Sequence, residues 1–372
     1  MPATRPHIVI DITYHGFGHA AQVAALVPAL RRRLPDMRLT LRTNVPEPVL
    51  RDAIPGDFAL RPGPADLGLC MFGPDQVDAE SSVRAYADLH AQWDAVLSHE
   101  VRSLRELQAD LLIADIPYTS LAASAEAGVP AVGFCSLNWS DMYAAYCNGH
   151  GDPDGVGAQI RAAYQSAALF LQPVPHMTMA DLPNRKSVAP LARIGVDRRD
   201  AIRRRFGAGA DDRFVLVTWG GISGGGISGD QAGEPSGHWL PRLPGVWWVV
   251  GDGLRIERDD VVSVSALGFR FVDAIRSCDA VITKTGYGTF TEAVYNGTRV
   301  MFAPRPDWPE SVFLETWLCE QGTAAAVDRD ALHAGEIADA LLDLLDRPVA
   351  HRGPPAGPAE AAEIMASLLK AA

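Results

Sequence analysis

The chain has 372 residues, 48% hydrophobic and 21% charged, with a formal net charge of −12. That length exceeds one ordinary core and predicts two domains of roughly 150–200 residues, while the acidic balance excludes a general binder of nucleic acid or anionic membrane. The cysteines (Cys70, Cys135, Cys147, Cys278, Cys319) form no C-x-x-C pair, and no apolar run approaches a membrane span, so a cytoplasmic chain with buried thiols is expected.

His7 to Thr13 (H-I-V-I-D-I-T) is an apolar, β-branched run that predicts a buried first strand, leaving no room before it for a signal peptide. After the loop from Tyr14 to His19, a helix is expected from about Ala20 to Leu34, with Val23, Val27, Leu30 and Leu34 on one face. Gly16 to Ala21 matches the G-x-G-x-x-A dinucleotide fingerprint in form. The next strand, Arg38 to Thr43, ends without an acidic residue for a ribose, so no nicotinamide cofactor is expected. His19 stands at the helix start, where the dipole disfavours imidazolium and keeps the ring available as a base. The alternative is a histidine that caps or fills the loop, and the same choice applies to His15.

Pro46 to Pro74 is Pro- and Gly-rich, with an irregular strand expected near Phe58 to Arg61. Ser81 to Gln108 reads as one long amphipathic helix whose apolar stripe is core. Asp110 to Ile116 is another strand, and it delivers Asp115 at its carboxyl end, where ligands sit in open α/β sheets. Asp115 would either orient His19 and stabilise its protonated form, or cap a helix from Thr119 onward. Val129 to Cys135 is a further strand, and the polar and aromatic segment beyond it puts Asn138 in an acceptor cleft or at a helix N-cap. A helix over Ala158 to Leu169 and a strand over Leu169 to Gln172 complete this half.

Pro173 to Pro190 holds four prolines and marks the boundary region. Asp197 to Phe206 reads as a surface helix. Phe214 to Trp219 is a strand running into the glycine-rich stretch 220–229, which lacks G-K-[ST] and is no Walker A loop. Gly220 and Gly221 would approach a phosphate or belong to a mobile linker. Gly245 to Val250 is a strand. The richest stretch is Ala280 to Glu292, A-V-I-T-K-T-G-Y-G-T-F-T-E: a strand to Thr283, a tight loop from Lys284 to Gly288, and helical spacing from Thr289 to Tyr295. Such a corner offers backbone N–H groups and a positive dipole end to an anion. Lys284 would add charge, Thr285 and Thr289 hydroxyl donors, and Glu292 an acceptor for a sugar or ribose diol. The plainer alternative gives Gly286 and Gly288 only positive φ. Arg299 to Ala303 is a strand, and helices are expected over Ala331 to Leu345 and Pro358 to Lys370.

The string around Thr285-Gly286, Tyr287, Gly288, Thr289 and Glu292 resembles the donor-nucleotide loop of GT-B glycosyltransferases, notably the lipid II-forming N-acetylglucosaminyltransferase. A G-Y-G-T-x-x-E-A string also occurs in the glycosyltransferase-like region of plant L-arabinokinase, as does a stretch similar to Asn138 to Tyr143. The resemblance implies two doubly wound Rossmann-like α/β domains facing across a cleft, residues 1–185 and 186–355, with a helix at 356–372 returning to the first. It implies transfer of a sugar from a nucleoside-diphosphate sugar, with UDP the expected carrier, to an unidentified acceptor. The same likeness makes His19 the base and Asp115 its partner. It places Gly18, Gly220, Gly221, Lys284 and the backbone of Phe271 and Val272 at the nucleotide sugar. His15, Asn138, Arg305, Asp307 and Glu310 are assigned to the sugar or acceptor. Helix dipole, Lys284 and hydroxyl donors would stabilise the leaving diphosphate without metal, and no spaced His/Cys set points to one. No cofactor is expected beyond the nucleotide sugar as co-substrate, and no nucleic-acid partner. A sugar-nucleotide hydrolase or epimerase, or a non-catalytic binding module, are the alternatives on this fold.

Overall fold

The computed structural model describes residues 5–72, 76–150, 152, 155–219, 239–254 and 256–371. The chain divides into two units, Met1–Leu191 with Ala356–Ala372, and Ala192–Pro355.

The first unit is built on β1 (His7–Ile12), β2 (Arg38–Arg42), β3 (Ala59–Arg61), β4 (Leu111–Asp115), β5 (Ala131–Phe134), β6 (Leu169–Pro173) and β7 (Arg185–Val188). All pairings are parallel, in the order β3-β2-β1-β4-β5-β6-β7. Ile8, Val9 and Ile10 of β1 and Leu111 to Ala114 of β4 are wholly buried. Parallel strands are covered on both faces, which is why they read as unbroken apolar runs. The intervening helices are α1 (Gly18–Arg33), α2 (Glu47–Ala53), α3 (Ala79–Ala91), α4 (Trp93–Leu107), α5 (Tyr118–Ala127), α6 (Trp139–Cys147) and α7 (Val156–Ser166). The C-terminal helix Gly357–Ala371 belongs to this unit. Arg33 of α1 pairs with Glu363 at 2.5 Å, and Glu360 accepts from the Ala189 N–H at 2.8 Å.

The second unit carries β8 (Arg213–Val217), β9 (Val246–Val250), β10 (Val261–Ser263), β11 (Ala280–Lys284), β12 (Arg299–Ala303) and β13 (Ala324–Ala326), again all parallel, in the order β10-β9-β8-β11-β12-β13. Its helices are α8 (Arg199–Phe206), α9 (Phe271–Ser277), α10 (Tyr287–Asn296), α11 (Ser311–Gln321), α12 (Arg329–Ala334) and α13 (Ala338–Asp346). Both units are therefore doubly wound α/β sheets. Strand order reverses between β1 and β4 in the first and between β8 and β11 in the second. Among the described residues, no helix is long and apolar enough to cross a membrane.

Two expected helices are broken in two. The long helix over Ser81 to Gln108 divides at Gln92, which ends α3 and opens α4. The break lets both His90 and Trp93 stack on Tyr118, while His90 Nε2 lies 2.9 Å from the Tyr118 hydroxyl. The helix over Ala331 to Leu345 divides at Gly335, whose φ of 76° closes α12. A Cβ there would stand 2.9 Å from the Trp239 carbonyl oxygen, so conformation and close approach both require glycine. The strand β7 lies in the Pro-rich boundary stretch, and the helices α9 and α11 lie in stretches where the sequence pattern marks no helix.

Candidate active site

Each unit gathers polar side chains where its strand order reverses. In open α/β sheets, crevices form at this switch point outside the carboxyl ends of the strands. In the first unit, β1 and β4 are paired with Ile12 opposite Asp115, so Asp115 ends its strand beside the loop that leads into α1. Gly18 opens α1 and is exposed, with nothing within 4 Å of where a Cβ would lie. His19 follows, and its Nδ1 lies 2.7 Å from Asp115 Oδ1. His19 is 7% exposed and Asp115 is fully buried. A carboxylate only accepts, so Nδ1 donates and the lone pair is left on Nε2, the arrangement a general base needs. Asp115 does not cap α5, which begins after Pro117 without a side-chain cap.

Cys135, just past β5, brings its sulfur to 3.6 Å from His19 Nδ1, and Gln22, one turn along α1, donates to that sulfur at 3.6 Å and to Ser136 Oγ at 3.2 Å. His19, Asp115 and Cys135 thus hold ligand-type atoms within 4.8 Å of one another, a grouping that spacing along the sequence does not reveal. The 2.7 Å separation is that of a hydrogen bond, whereas two light ligand atoms on a tetrahedral zinc stand roughly 3.3 Å apart. Burial pushes the Asp115 carboxyl up, and the His19 charge and hydrogen bond, with a bond from Cys135, oppose that shift. The indole of Trp139 lies with its centroid 6.0 Å from the His19 ring.

The acceptor-side residues read from the sequence are used locally. His15 Nε2 is 3.0 Å from the Leu69 carbonyl, and its ring packs edge-on against Trp139 at 5.3 Å. Asn138 is the N-cap of α6, its side-chain oxygen accepting from the Asp141 N–H at 2.8 Å, while its Nδ2 is buried without a hydrogen-bond partner.

In the second unit the strand β11 ends at Lys284, which is half-buried, and α10 begins at Tyr287 with Gly286 as its N-cap. No side chain caps this end. Neither Gly286 nor Gly288 has positive φ, which corrects the plainer reading of them. Gly286 is extended (φ −171°), and a Cβ there would meet only the Lys284 carbonyl oxygen, at 4.0 Å. The small residue leaves open space before the N-terminus of a 10-residue helix. Thr289 lies half-buried in the first turn.

Two expected contacts are already committed within the unit. The Thr285 hydroxyl donates to Glu315 Oε1 at 2.5 Å, and the Arg305 N–H reaches the same oxygen at 3.2 Å. Thr285 therefore does not offer its hydroxyl hydrogen to a ligand in this arrangement; only its backbone does. Glu292 is 3% exposed and accepts from Arg193 Nε at 2.5 Å. Asn296, one turn on, accepts from the Gly195 N–H at 2.9 Å and donates to the Arg193 carbonyl at 2.9 Å, fixing the segment that carries Arg193. Phe271 opens α9 and Val272 is buried, with Gly195 packed so closely on its carbonyl that a Cβ would lie 2.2 Å from the oxygen. The Val272 carbonyl thus faces the chain. Beyond β12, the Arg305 guanidinium lies 4.6 Å from the centroid of Trp308, Asp307 is exposed, and Glu310 accepts from Trp308 Nε1 at 3.2 Å. Arg305, Asp307 and Glu310, expected at a sugar or acceptor, all precede the helix α11. Gly220 and Gly221 lie outside the described residues.

Known proteins place this architecture. The chain aligns over 99% of its length with the calicheamicin glycosyltransferase CalG4, covering 95% of that chain at 14% identity with a TM-score of 0.60. A UDP-glucosyltransferase from Polygonum tinctorium gives 15% identity, 100% and 95% coverage and a TM-score of 0.59. This is the GT-B fold. Among curated proteins, the L-arabinokinase of Arabidopsis thaliana is 26% identical over 325 residues, 85% of this chain but only 30% of the relative. An uncharacterized glycosyltransferase of Methanopyrus kandleri is 25% identical over 282 residues, 71% of this chain and 76% of the relative. No family model matches the chain. Cys135, Gln22, Arg193 and the loop residue Asp66, which accepts from Thr13 Oγ1, join the polar centres although nothing in their spacing marked them. Their partners are distant in sequence and meet only through the sheet order.

Proposed function

We propose that the chain is a glycosyltransferase that moves a sugar from a nucleoside diphosphate, UDP being the favoured carrier, to an acceptor hydroxyl with inversion and without metal, in the cytoplasm. The observation that carries this reading is the His19–Asp115 pair, 2.7 Å apart at a switch point of a GT-B chain. His19 Nε2 takes the acceptor proton as the hydroxyl attacks the anomeric carbon. The bond to the diphosphate breaks as the new glycosidic bond forms, and Asp115 stabilises the imidazolium that results. The backbone N–H groups opening α10, its dipole and Lys284 receive the leaving diphosphate, the charge stabilisation this reaction needs. The relatives named as glycosyltransferases support the class of reaction.

The test combines nucleotide-sugar binding with turnover. Wild-type chain is stabilised in thermal shift by its cognate nucleotide sugar, in proportion to occupancy. His19→Ala keeps that binding and loses roughly 100-fold or more in turnover, as expected for removal of a general base. Full turnover in the variant removes His19 from the mechanism. Binding with no transfer to any acceptor, but release of free sugar, makes the chain a sugar-nucleotide hydrolase. Binding with neither makes it a non-catalytic module.

A further inference from the structure

The loop between β3 and α3 carries a second carboxyl to the His19 centre. The peptide before Asp66 is gripped from two helices: the Ala65 N–H donates to Glu100 Oε1 of α4 at 3.3 Å, and the Ala65 carbonyl accepts from Thr119 Oγ1 of α5 at 2.6 Å. Glu100 is held in turn by Arg42 at 2.8 Å, which also pairs with Asp11 of β1. So anchored, Asp66 Oδ2 accepts from Thr13 Oγ1 at 2.5 Å. The same hydroxyl accepts from the Ile116 N–H at 3.2 Å, and the Thr13 N–H donates to the Asp115 carbonyl at 2.7 Å. Through Thr13, Asp66 is therefore tied to both the carbonyl and the N–H of the peptide that joins Asp115 to Ile116. Asp66 as a residue is half-buried, yet its Oδ1 is closed from solvent and has no hydrogen-bond partner.

We propose that Asp66 is a positioning residue of the His19–Asp115 pair, its charge setting the proton affinity of His19 and its link through Thr13 holding the end of β4. The inference rests on the reading of His19 as the working base, but its readout does not. The groups within electrostatic reach of Asp66 are His19 on α1, Asp11 on β1, Asp115 on β4, Tyr86 on α3, Tyr118 on α5 and Tyr164 on α7. Arg42 lies against Asp11 and Glu100 and balances those charges locally, while Cys135 is the further titratable group against His19. Burial drives the Asp66 carboxyl up to about 6, against the Thr13 bond and the His19 charge, with Asp11 and Asp115 adding to the rise. Below that pH Asp66 is neutral and Asp115 alone faces His19. Above it a second negative charge favours imidazolium, since a nearby opposite charge stabilises the charged form.

The test is a histidine NMR titration of the full chain, with wild type, Asp66→Asn and Asp66→Glu compared. The His19 midpoint falls by roughly 0.5–1 pH unit in Asp66→Asn and is largely restored in Asp66→Glu. In the unmutated chain the His19 signals also respond to a second group titrating near pH 6. An Asp66→Asn variant that folds with an unmoved His19 midpoint overturns the proposal and leaves Asp66 a loop anchor. If that variant fails to fold, a single-step His19 titration in wild type overturns it equally. Because no turnover is read, a chain that transfers no sugar can still show the coupling. A chain that loses turnover in His19→Ala can likewise lack it, so the two readings fail separately.

Discussion

The two polar centres of this chain treat their carboxylates in opposite ways. Around His19, Asp115 is buried and Asp66 half-buried, among the described residues no guanidinium lies against either, burial raises both, and Asp115 Oδ2, Asp66 Oδ1, Gln22 Oε1 and Trp139 Nε1 have no hydrogen-bond partner. Around the start of α10, Glu292 and Glu315 are each held by donors. Glu292 meets Arg193, and Glu315 meets Thr285 and the Arg305 N–H. Burial works to raise Asp273 as well, but hydrogen bonds from Arg270 and the Val196 N–H, with the charges of Arg270 and Arg198, outweigh it and hold the carboxyl below its usual range. The difference fits a division of labour. A centre that moves protons needs acids poised near the working pH, whereas one that receives an anion needs its own negative charges neutralised and its N–H groups uncapped.

The largest expected effect probes the settled side. Arg193→Met would leave Glu292 buried without its guanidinium, and removing one partner of a buried ion pair costs about 3–5 kcal/mol. Denaturant unfolding should show that loss in the transition of the second unit, and adding Glu292→Gln should recover most of it. A cost under about 1 kcal/mol would mean that Glu292 is not held by Arg193 and stands available to a ligand.

The poised side should respond with the opposite sign. The folded value of Asp66, about 6, lies above that of an unfolded aspartate, so the folded chain keeps a proton that the unfolded chain has lost. Stability from this group is complete below the unfolded value near 4 and falls as pH rises through 6. Asp66→Asn removes that fall. After allowance for partial exposure, the variant should gain about 1–2 kcal/mol over wild type at pH 7.5 and nothing at pH 4. Chemical denaturation at the two pH values measures it, and a loss at pH 7.5 would show that the Thr13 bond outweighs the desolvated charge.

The contrast also explains what the sequence made legible. The strands were readable because parallel strands buried on both faces are apolar runs, and the positions of His19 and Asp115 followed from the helix start and the strand end they occupy. Fold class was legible for the same reason, as alternation of such runs with helical spacing. Asp66 was not, since it lies in a Pro- and Gly-rich loop without periodicity and reaches Thr13 only because α4 and α5 grip Ala65. Arg193 was passed over between the boundary region and the helix expected from Asp197, and its role depends on α10 presenting Glu292 and Asn296 one turn apart. The commitment of the Thr285 hydroxyl was not legible either, because its acceptor Glu315 lies 30 residues on, in the helix α11 that the sequence pattern did not mark.

The smallest effect on the fold makes the sharpest test of the anion side. Gly286 is required neither by backbone conformation nor by packing within this chain: its φ is extended, and an added methyl would meet only the Lys284 carbonyl oxygen at 4.0 Å. Gly286→Ala should therefore change stability by under about 1 kcal/mol, the difference between glycine and alanine at an N-cap. If a diphosphate rests on the N–H groups that open α10, the same methyl stands where it must approach. Affinity for a nucleoside diphosphate should then fall about tenfold in calorimetry, with the unfolding midpoint nearly unchanged. Loss of stability without loss of affinity would make Gly286 a structural cap. Unchanged values of both would move the diphosphate away from α10, and the difference between the two centres would lose its functional meaning.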